Sequence, residues 1–179
     1  MTTRLKAAVI GVGSMGRNHA RVYAELDNIE LVAVADLNDA AVNRIAGIYG
    51  TRAYTDFVQM IETERPDLVT IAVPTRAHRE VAEAAAARGV HLFVEKPLAG
   101  NPAEAQAIID VARAAGVKLA VGHIERFNPA ILKLKMELEK GRLGRMFQLH
   151  ARRVGPFPPR IEDVGVVFDL ATHELNIME

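Results

Sequence analysis

The first two thirds of the chain alternate short, almost continuously apolar runs with longer stretches in which apolar positions recur at helical spacing. Continuous apolar runs are typical of parallel strands, because both faces of a parallel sheet are buried. The predicted strands are residues 7–10, 31–35, 68–73, 91–94 and 119–121, and the predicted helices are residues 15–26, 38–48, 55–64, 78–88 and 102–115. This order predicts an α/β protein, a doubly wound parallel sheet with helices on both faces.

The pattern changes in the last third of the chain. Asn128 and Pro129 are typical of the start of a helix, and Gly141 is typical of its end. Residues 145–154 alternate apolar and polar positions, which predicts a long strand. After a proline-rich loop, residues 168–179 predict a helix that has no capping residue at its end.

These two patterns predict two domains. We expect the first to cover residues 1–123 and an α+β domain to begin at residues 124–179. Because the last predicted helix has no cap, we expect the second domain to be truncated.

Composition and charge exclude several classes of protein. Half of the 179 residues are hydrophobic and a quarter are charged, so the chain is neither disordered nor fibrous. Its 22 Lys and Arg balance its 22 Asp and Glu, which argues against a nucleic-acid partner. Cys is absent, and the first apolar run is too short to span a membrane, so we expect a cytoplasmic protein without disulfide or thiolate chemistry.

A glycine-rich turn follows the first predicted strand and opens the first predicted helix. The segment Gly-Val-Gly-Ser-Met-Gly fits the pattern G-x-G-x-x-G, whose glycines allow a tight turn, approach of the backbone to a pyrophosphate, and close packing of the helix. The predicted cofactor contacts in this turn are Gly11, Gly13, Ser14, Met15 and Gly16. The alternative is that the glycines only form a turn.

Asp36 lies twenty residues beyond Gly16, at the end of the second predicted strand. A carboxylate there can accept hydrogen bonds from both ribose hydroxyls of NAD and would repel a 2′-phosphate, so the sequence favours NAD over NADP. The alternative is that Asp36 caps the next helix, although Asn38 is also suited to that role.

Lys96 follows the predicted strand 91–94, in the sequence Glu95-Lys96-Pro97. Open α/β sheets bind ligands at the carboxyl ends of their strands. A lysine there can bond a substrate hydroxyl and help to remove its proton as a hydride leaves the same carbon. The alternative is a solvated lysine in a loop.

Together these residues resemble one family of oxidoreductases. The segments concerned are the glycine motif, Asp36, Val73-Pro74-Thr75-Arg76-Ala77-His78, Glu95-Lys96-Pro97 and Asp169-x-x-x-His173. The chain resembles the glucose-fructose oxidoreductase, inositol dehydrogenase and MocA (Gfo/Idh/MocA) family over nearly its whole length. The resemblance implies a Rossmann domain that binds NAD, then a substrate domain built on a large antiparallel sheet, and a homo-oligomer when the protein is full length.

The resemblance also implies roles for individual residues. Lys96 would act in proton transfer, and Asp169 and His173 would complete the catalytic site. Further cofactor contacts would be Pro74, His78, Glu95 and Lys96 itself. In this family the peptide bond before the proline of E-K-P is often cis, an arrangement that is cheap only at proline.

Asp169 and His173 are spaced i and i+4, so on a helix they share one face. His173 could relay the substrate proton while the carboxylate orients its ring. A surface ion pair and a metal-binding pair are the alternatives; we expect no metal, because no third ligand is recognisable. His19, His91 and His150 show no partner pattern and are interpreted as packing, strand and surface residues.

The segment Glu125-Arg126-Phe127-Asn128-Pro129 resembles the family members that oxidise nucleotide-sugars. Arg126, Arg153 and Arg160 are candidate substrate residues, because guanidinium groups suit a diphosphate; the alternative is isolated surface arginines. The resemblance therefore favours C3 of UDP-N-acetylglucosamine as the carbon oxidised. A free-sugar or inositol dehydrogenase and a non-catalytic NAD-binding module remain open.

Overall fold

The computed structural model describes residues 4–152, residue 154 and residues 171–179. The chain divides into two compact units, Met1–Val121 and Gly122–Glu179, which are described separately. In the described residues, no helix is both long and apolar enough to cross a membrane.

The first unit is a parallel sheet with helices between its strands. The strands are β1 (Leu5–Ile10), β2 (Ile29–Ala35), β3 (Arg52–Tyr54), β4 (Leu68–Ile71), β5 (His91–Val94) and β6 (Leu119–Val121). The helices are α1 (Gly16–Glu25), α2 (Asp39–Tyr49), α3 (Phe57–Glu64), α4 (His78–Ala86) and α5 (Pro102–Ala114), with a short 3₁₀ helix at Thr75–Ala77. All neighbouring strands pair in parallel in the order β3-β2-β1-β4-β5-β6, which confirms the predicted Rossmann fold class.

The central strand β1 shows why the apolar runs are nearly continuous. Ala8 and Ile10 pack in one buried cluster, whereas Ala7 and Val9 pack in another. Successive side chains of a strand point to opposite faces, so the two clusters are the cores on the two sides of the sheet. Burial on both faces favours apolar side chains along such a strand, and the polar Lys6 lies in its exposed first part.

Helix ends follow the predicted chemistry. Asn101 Oδ1 accepts a hydrogen bond from Glu104 N at 3.0 Å, and Pro102 is the first residue of α5. Gly89 and Gly116 have φ values of 75° and 67°, the left-handed conformation that glycine favours after a helix. The Asn101 cap thus sets where α5 begins, and the two glycines set where α4 and α5 end before the next strand.

The edge strand β3 is not among the strands predicted from the sequence. Its three residues are too few and too polar to stand out, and pairing with β2 creates the strand. Arg52 and Tyr54 both bind the buried carboxylate of Glu64 in α3. Burial works to raise the pKa of Glu64, but hydrogen bonds from Arg52 and Tyr54 and nearby positive charge outweigh it and lower that pKa.

The second unit contains a 3₁₀ helix at Ile124–Phe127 and the helices α6 (Pro129–Glu139) and α7 (Thr172–Met178). Asn128 caps α6 by accepting from Ala130 N at 3.0 Å, as predicted. The strand predicted over residues 145–154 is wrong for its described part, residues 145–152 and 154, which pair with no other described segment. Alternation alone does not make a strand, because a strand needs a neighbour to bond its backbone.

Candidate functional site

The glycine turn between β1 and α1 is shaped by two close backbone approaches. Gly11 has a φ of 86°, and a Cβ atom there would lie 2.7 Å from the carbonyl carbon and oxygen of Ala72. A Cβ on Gly16 would lie 1.7 Å from the carbonyl oxygen of Gly11. Both positions therefore require glycine, and together they press the turn against the end of β4.

Gly13 differs, because the space beside it is open. A Cβ atom on Gly13 would have no atom of the described residues within 4 Å. The turn runs directly into α1, whose N-cap residue Met15 makes no side-chain capping bond within the described part of the chain. An open face beside a helix N-terminus suits a pyrophosphate, which the backbone N–H groups and the helix dipole both attract.

Asp36 is held firmly at the end of β2. Its Oδ2 accepts a hydrogen bond from Val12 N at 2.8 Å, and its Oδ1 accepts one from Asn38 N at 2.9 Å. Asn38 caps α2 through Ala41 N, so the alternative reading of Asp36 as that cap is wrong. The carboxylate lies next to the glycine turn, where it can accept from ribose hydroxyls.

A cleft of about 550 Å³ lies at the carboxyl ends of β1, β2 and β4. Its lining includes Gly11, Gly13, Asp36 and the predicted Pro74. The sheet order reverses between β1 and β4, and open α/β sheets bind ligands at that point. The cleft therefore lies where the fold and the glycine motif independently predict a nucleotide.

Sequence reasoning missed part of this lining. Leu37, Phe57 and Arg76 also border the cleft. In the sequence, Leu37 follows β2, Arg76 follows β4, and Phe57 follows β3 as the first residue of α3. All three lie in segments that come after the carboxyl end of a strand, and this position is the signal that could have identified them. An aliphatic, an aromatic and a guanidinium side chain are suited to the faces of a flat base.

Lys96 is the second residue after the end of β5, as predicted, and it is half-buried. Glu95 N donates to Ile71 O at 3.0 Å, which ties this loop to the end of β4. The peptide bond between Lys96 and Pro97 is cis, as the family resemblance implies. The loop is thus fixed at the ligand-binding edge of the sheet.

His19 has a partner that no pattern in the sequence predicts. Its Nε2 lies 2.6 Å from Glu95 Oε1, and its ring packs edge-on against Phe93, with 5.3 Å between the ring centroids. The contact with Phe93 confirms the interpretation of His19 as a packing residue, whereas the expectation that it has no polar partner is wrong. Helical spacing from Gly16 indicates that His19 faces the sheet, but it does not identify Glu95 as the partner.

His78 is buried, with a backbone carbonyl oxygen within hydrogen-bond distance of each ring nitrogen. Its Nδ1 lies 3.0 Å from Pro97 O and its Nε2 lies 3.0 Å from Val73 O. Because a carbonyl oxygen of the protein faces each ring nitrogen, His78 links the loops after β4 and β5, and its ring has no nitrogen facing a cofactor. His91 Nδ1 accepts from Lys118 N at 3.1 Å, and His150 is exposed.

The candidate residues of the last third are described only in part. His173 is half-buried in α7, and Arg126 is exposed in the 3₁₀ helix Ile124–Phe127. Asp169, Arg153 and Arg160 lie outside the described residues, so their predicted roles stay predictions. Within residues 4–152, 154 and 171–179, no group of three His, Asp or Glu side chains could hold a metal ion.

The sheet order, the glycine turn and the carboxylate after β2 define a dinucleotide-binding Rossmann protein. Residues 5–123 match the model of the GFO_IDH_MocA family, described as an oxidoreductase family with an NAD-binding Rossmann fold. The chain therefore belongs to the Gfo/Idh/MocA family of oxidoreductases, which confirms the resemblance and, with it, NAD as the family's cofactor.

Three relatives illustrate the similarity. The UDP-N-acetylglucosamine 3-dehydrogenase of Acidithiobacillus ferrooxidans is 36% identical over 97% of this chain and 53% of its own, and its solved structure gives a TM-score of 0.85. Inositol 2-dehydrogenase 4 of Saccharopolyspora erythraea is 35% identical over 96% of this chain and 52% of its own. The WlbA dehydrogenase of Bordetella pertussis, solved with NADH and UDP-GlcNAcA, is 27% identical with a TM-score of 0.75, over 79% of this chain and 44% of its own.

The chain spans about half the length of the curated relatives it matches. Relatives that act on a nucleotide-sugar and on an inositol stand at 36% and 35% identity, so identity alone does not choose between their substrates.

Proposed function

We propose that the protein carrying this chain is an NAD-dependent dehydrogenase that oxidises a secondary hydroxyl of a sugar or nucleotide-sugar. The observation that carries this proposal is the position of Lys96, fixed behind β5 at the same sheet edge as the glycine turn and Asp36. A group that can move a proton and a site that fits a hydride acceptor lie at one edge of one sheet.

The first unit offers places for the pyrophosphate, the ribose and the adenine of NAD. The turn formed by Gly11, Gly13, Ser14, Met15 and Gly16 would hold the pyrophosphate through its backbone. Asp36 would accept from the ribose hydroxyls, and the cleft beside Leu37 and Phe57 would hold the adenine. When bound, NAD supplies a nicotinamide ring that accepts a hydride.

Lys96 and His173 would accept and transfer the proton that the oxidation releases. As the C–H bond breaks and its hydride leaves, the hydroxyl oxygen of the same carbon loses its proton and a carbonyl forms. Lys96 would donate a hydrogen bond to that oxygen and take part in removing the proton, with His173 as a further proton acceptor. Asp169 would orient His173 or the substrate. Pro74, His78 and Glu95 would shape the loops that surround the cofactor.

Our candidate substrate is UDP-N-acetylglucosamine, oxidised at C3. The Acidithiobacillus ferrooxidans relative carries that activity in its name. Arg126, Arg153 and Arg160 would bind the diphosphate, because planar guanidinium groups pair with phosphate oxygens through two parallel bonds. The second candidate is a free polyol such as inositol, which the name of the Saccharopolyspora erythraea relative favours.

Formation of NADH, followed by absorbance, tests both the reaction and the substrate. We expect turnover with UDP-N-acetylglucosamine and NAD to exceed turnover with myo-inositol or glucose. Equal or faster turnover of the free polyols would refute the nucleotide-sugar proposal. Failure of every sugar, with NAD still bound, would favour a non-catalytic NAD-binding module.

Lys96→Met separates catalysis from cofactor binding. It removes the amine but keeps most of the side-chain length, so we expect turnover to fall by about 100-fold or more. The Kd for NAD, measured by calorimetry, should change by about tenfold at most, because Lys96 is one of several proposed cofactor contacts and its larger effect is on the transition state. Unchanged turnover would contradict the role of Lys96.

Two further properties complete the proposal. We propose that the full-length protein is a homo-oligomer, which light scattering measures directly, and a monomer at working concentration would contradict it. A cytoplasmic location stays a prediction.

A further inference from the structure

The side chain of Glu95 connects two parts of the first unit that lie far apart in the sequence. Its Oε1 lies 2.6 Å from Nε2 of His19 in α1, across a sequence separation of 76 residues. Its Oε2 accepts from Lys96 N at 3.2 Å. One carboxylate therefore bridges α1 and the peptide that carries Lys96.

His19 occupies a favourable place for such a link. It lies in the first turn of α1, which begins at Gly16. This is the end of α1 that borders the glycine turn, where the pyrophosphate is proposed to bind. The ring packs edge-on against Phe93 of β5, so its plane is set by the strand that leads into Glu95.

The Glu95 carboxylate is too buried for water to replace a lost hydrogen-bond partner fully. Its residue is 8% exposed, and the side chain of His19 is 19% exposed, so water offers limited replacement for a lost partner. A buried carboxylate without partners is costly, and removing one partner leaves that cost unmet. Loss of the His19 ring should therefore make the Glu95 side chain move, which releases its bond to Lys96 N.

We propose that His19 is a positioning residue: through Glu95 it fixes the peptide of Lys96 relative to the first turn of α1. This inference rests on the proposed function, since it gives Lys96 a substrate proton to handle. The further point is that α1, which borders the proposed phosphate site, and the loop that carries Lys96 are held in a fixed relative position by the Glu95 carboxylate. A change at His19 then acts on turnover more than on cofactor affinity.

Three variants test this proposal. His19→Leu removes the donor and keeps an apolar side chain against Phe93, whereas His19→Gln keeps an N–H donor at the end of a chain of similar reach. Arg21→Leu is the matched control: it removes a polar side chain from the same helix, where Arg21 pairs only with the exposed Glu25 in the described interactions.

The first readout is exchange of the Lys96 amide hydrogen, measured by NMR in the 179-residue chain. We expect His19→Leu to speed this exchange by about tenfold or more, because local opening governs exchange of a bonded amide. His19→Gln should restore most of the protection, and Arg21→Leu should leave it unchanged. Equal exchange in His19→Leu and the unsubstituted chain would overturn the proposal.

The second readout is steady-state kinetics in the protein that carries this chain. We expect His19→Leu to lower kcat by about 10- to 100-fold, because small misplacements of catalytic groups are costly, while the KM for NAD changes by less than about threefold. His19→Gln should recover most of the loss. If Gln is as impaired as Leu and NAD binding weakens in both, His19 serves helix packing and the proposal fails.

The two readouts separate this inference from the proposed function. If the unsubstituted protein oxidises no sugar, the proposed function fails, and amide exchange alone decides the link between His19, Glu95 and Lys96. If turnover is present but insensitive to His19→Leu, the function stands and the positioning role is refuted.

Discussion

Gly13→Ala separates cofactor binding from folding. A Cβ atom at position 13 meets no described atom within 4 Å, and Gly13 is not in the left-handed region, so the substituted chain can fold without displacing its neighbours. Surface substitutions that disturb nothing change the free energy of unfolding by less than about 0.5 kcal/mol. The added methyl group projects into the space where the pyrophosphate is proposed to approach the backbone.

The expected loss of affinity follows from the hydrogen bonds that this approach allows. A hydrogen bond to a charged group contributes about 1.5–3 kcal/mol. Losing one such bond weakens binding by about 10- to 150-fold, at about 1.4 kcal/mol for each tenfold change in Kd. Calorimetric titration with NAD measures Kd, and urea denaturation measures the free energy of unfolding.

Two glycine variants serve as controls for Gly13→Ala. Gly16→Ala places a Cβ 1.7 Å from Gly11 O, so it should lower stability and NAD affinity together. Gly47→Ala, on the exposed side of α2, should stabilise the helix by about 0.5–1 kcal/mol and leave Kd unchanged. NAD binding by Gly13→Ala as tight as in the unsubstituted chain would refute the placement of the pyrophosphate.

Two further predictions concern acidic side chains. Asp36→Ser should weaken NAD binding and reduce the preference for NAD over NADP, because the variant has no carboxylate to accept from the ribose hydroxyls or to repel a 2′-phosphate. An unchanged ratio of the Kd values for NAD and NADP would contradict the proposed role of Asp36. The lowered pKa of Glu64 means that its ion pair stabilises the fold above the ordinary value of 4.5, and that this stability is lost as the pH falls through the lower folded-state pKa. In Glu64→Gln, the free energy of unfolding, measured by urea denaturation, should therefore depend less steeply on pH in that acidic range. An identical slope would refute the lowered pKa of Glu64.

The sequence predicts the parts of the fold that depend on local signals. The strand residues 91–94 and 119–121 match β5 and β6 at both ends, because each is a short, mainly apolar run that is followed directly by a charged residue or a glycine, Glu95 or Gly122. The caps at Asn101 and Asn128 were found because each needs one side chain and a following proline.

Features that depend on distant partners were missed. β3 exists through its pairing with β2, and the predicted strand at 145–154 finds no described partner. The bond between His19 and Glu95 joins residues 76 positions apart, which no periodic pattern in the sequence reveals. Of the site, the sequence therefore predicts the glycine turn, Asp36 and Lys96, but not what holds Glu95 and His78 in place.

A crystal structure of this chain grown with saturating NAD tests the central claim most directly. We expect the pyrophosphate against the backbone at Gly13, both adenosine ribose hydroxyls on the Asp36 carboxylate, and the nicotinamide directed to the loop of Lys96. Dinucleotide bound elsewhere, or a nicotinamide turned away from that loop, would contradict it.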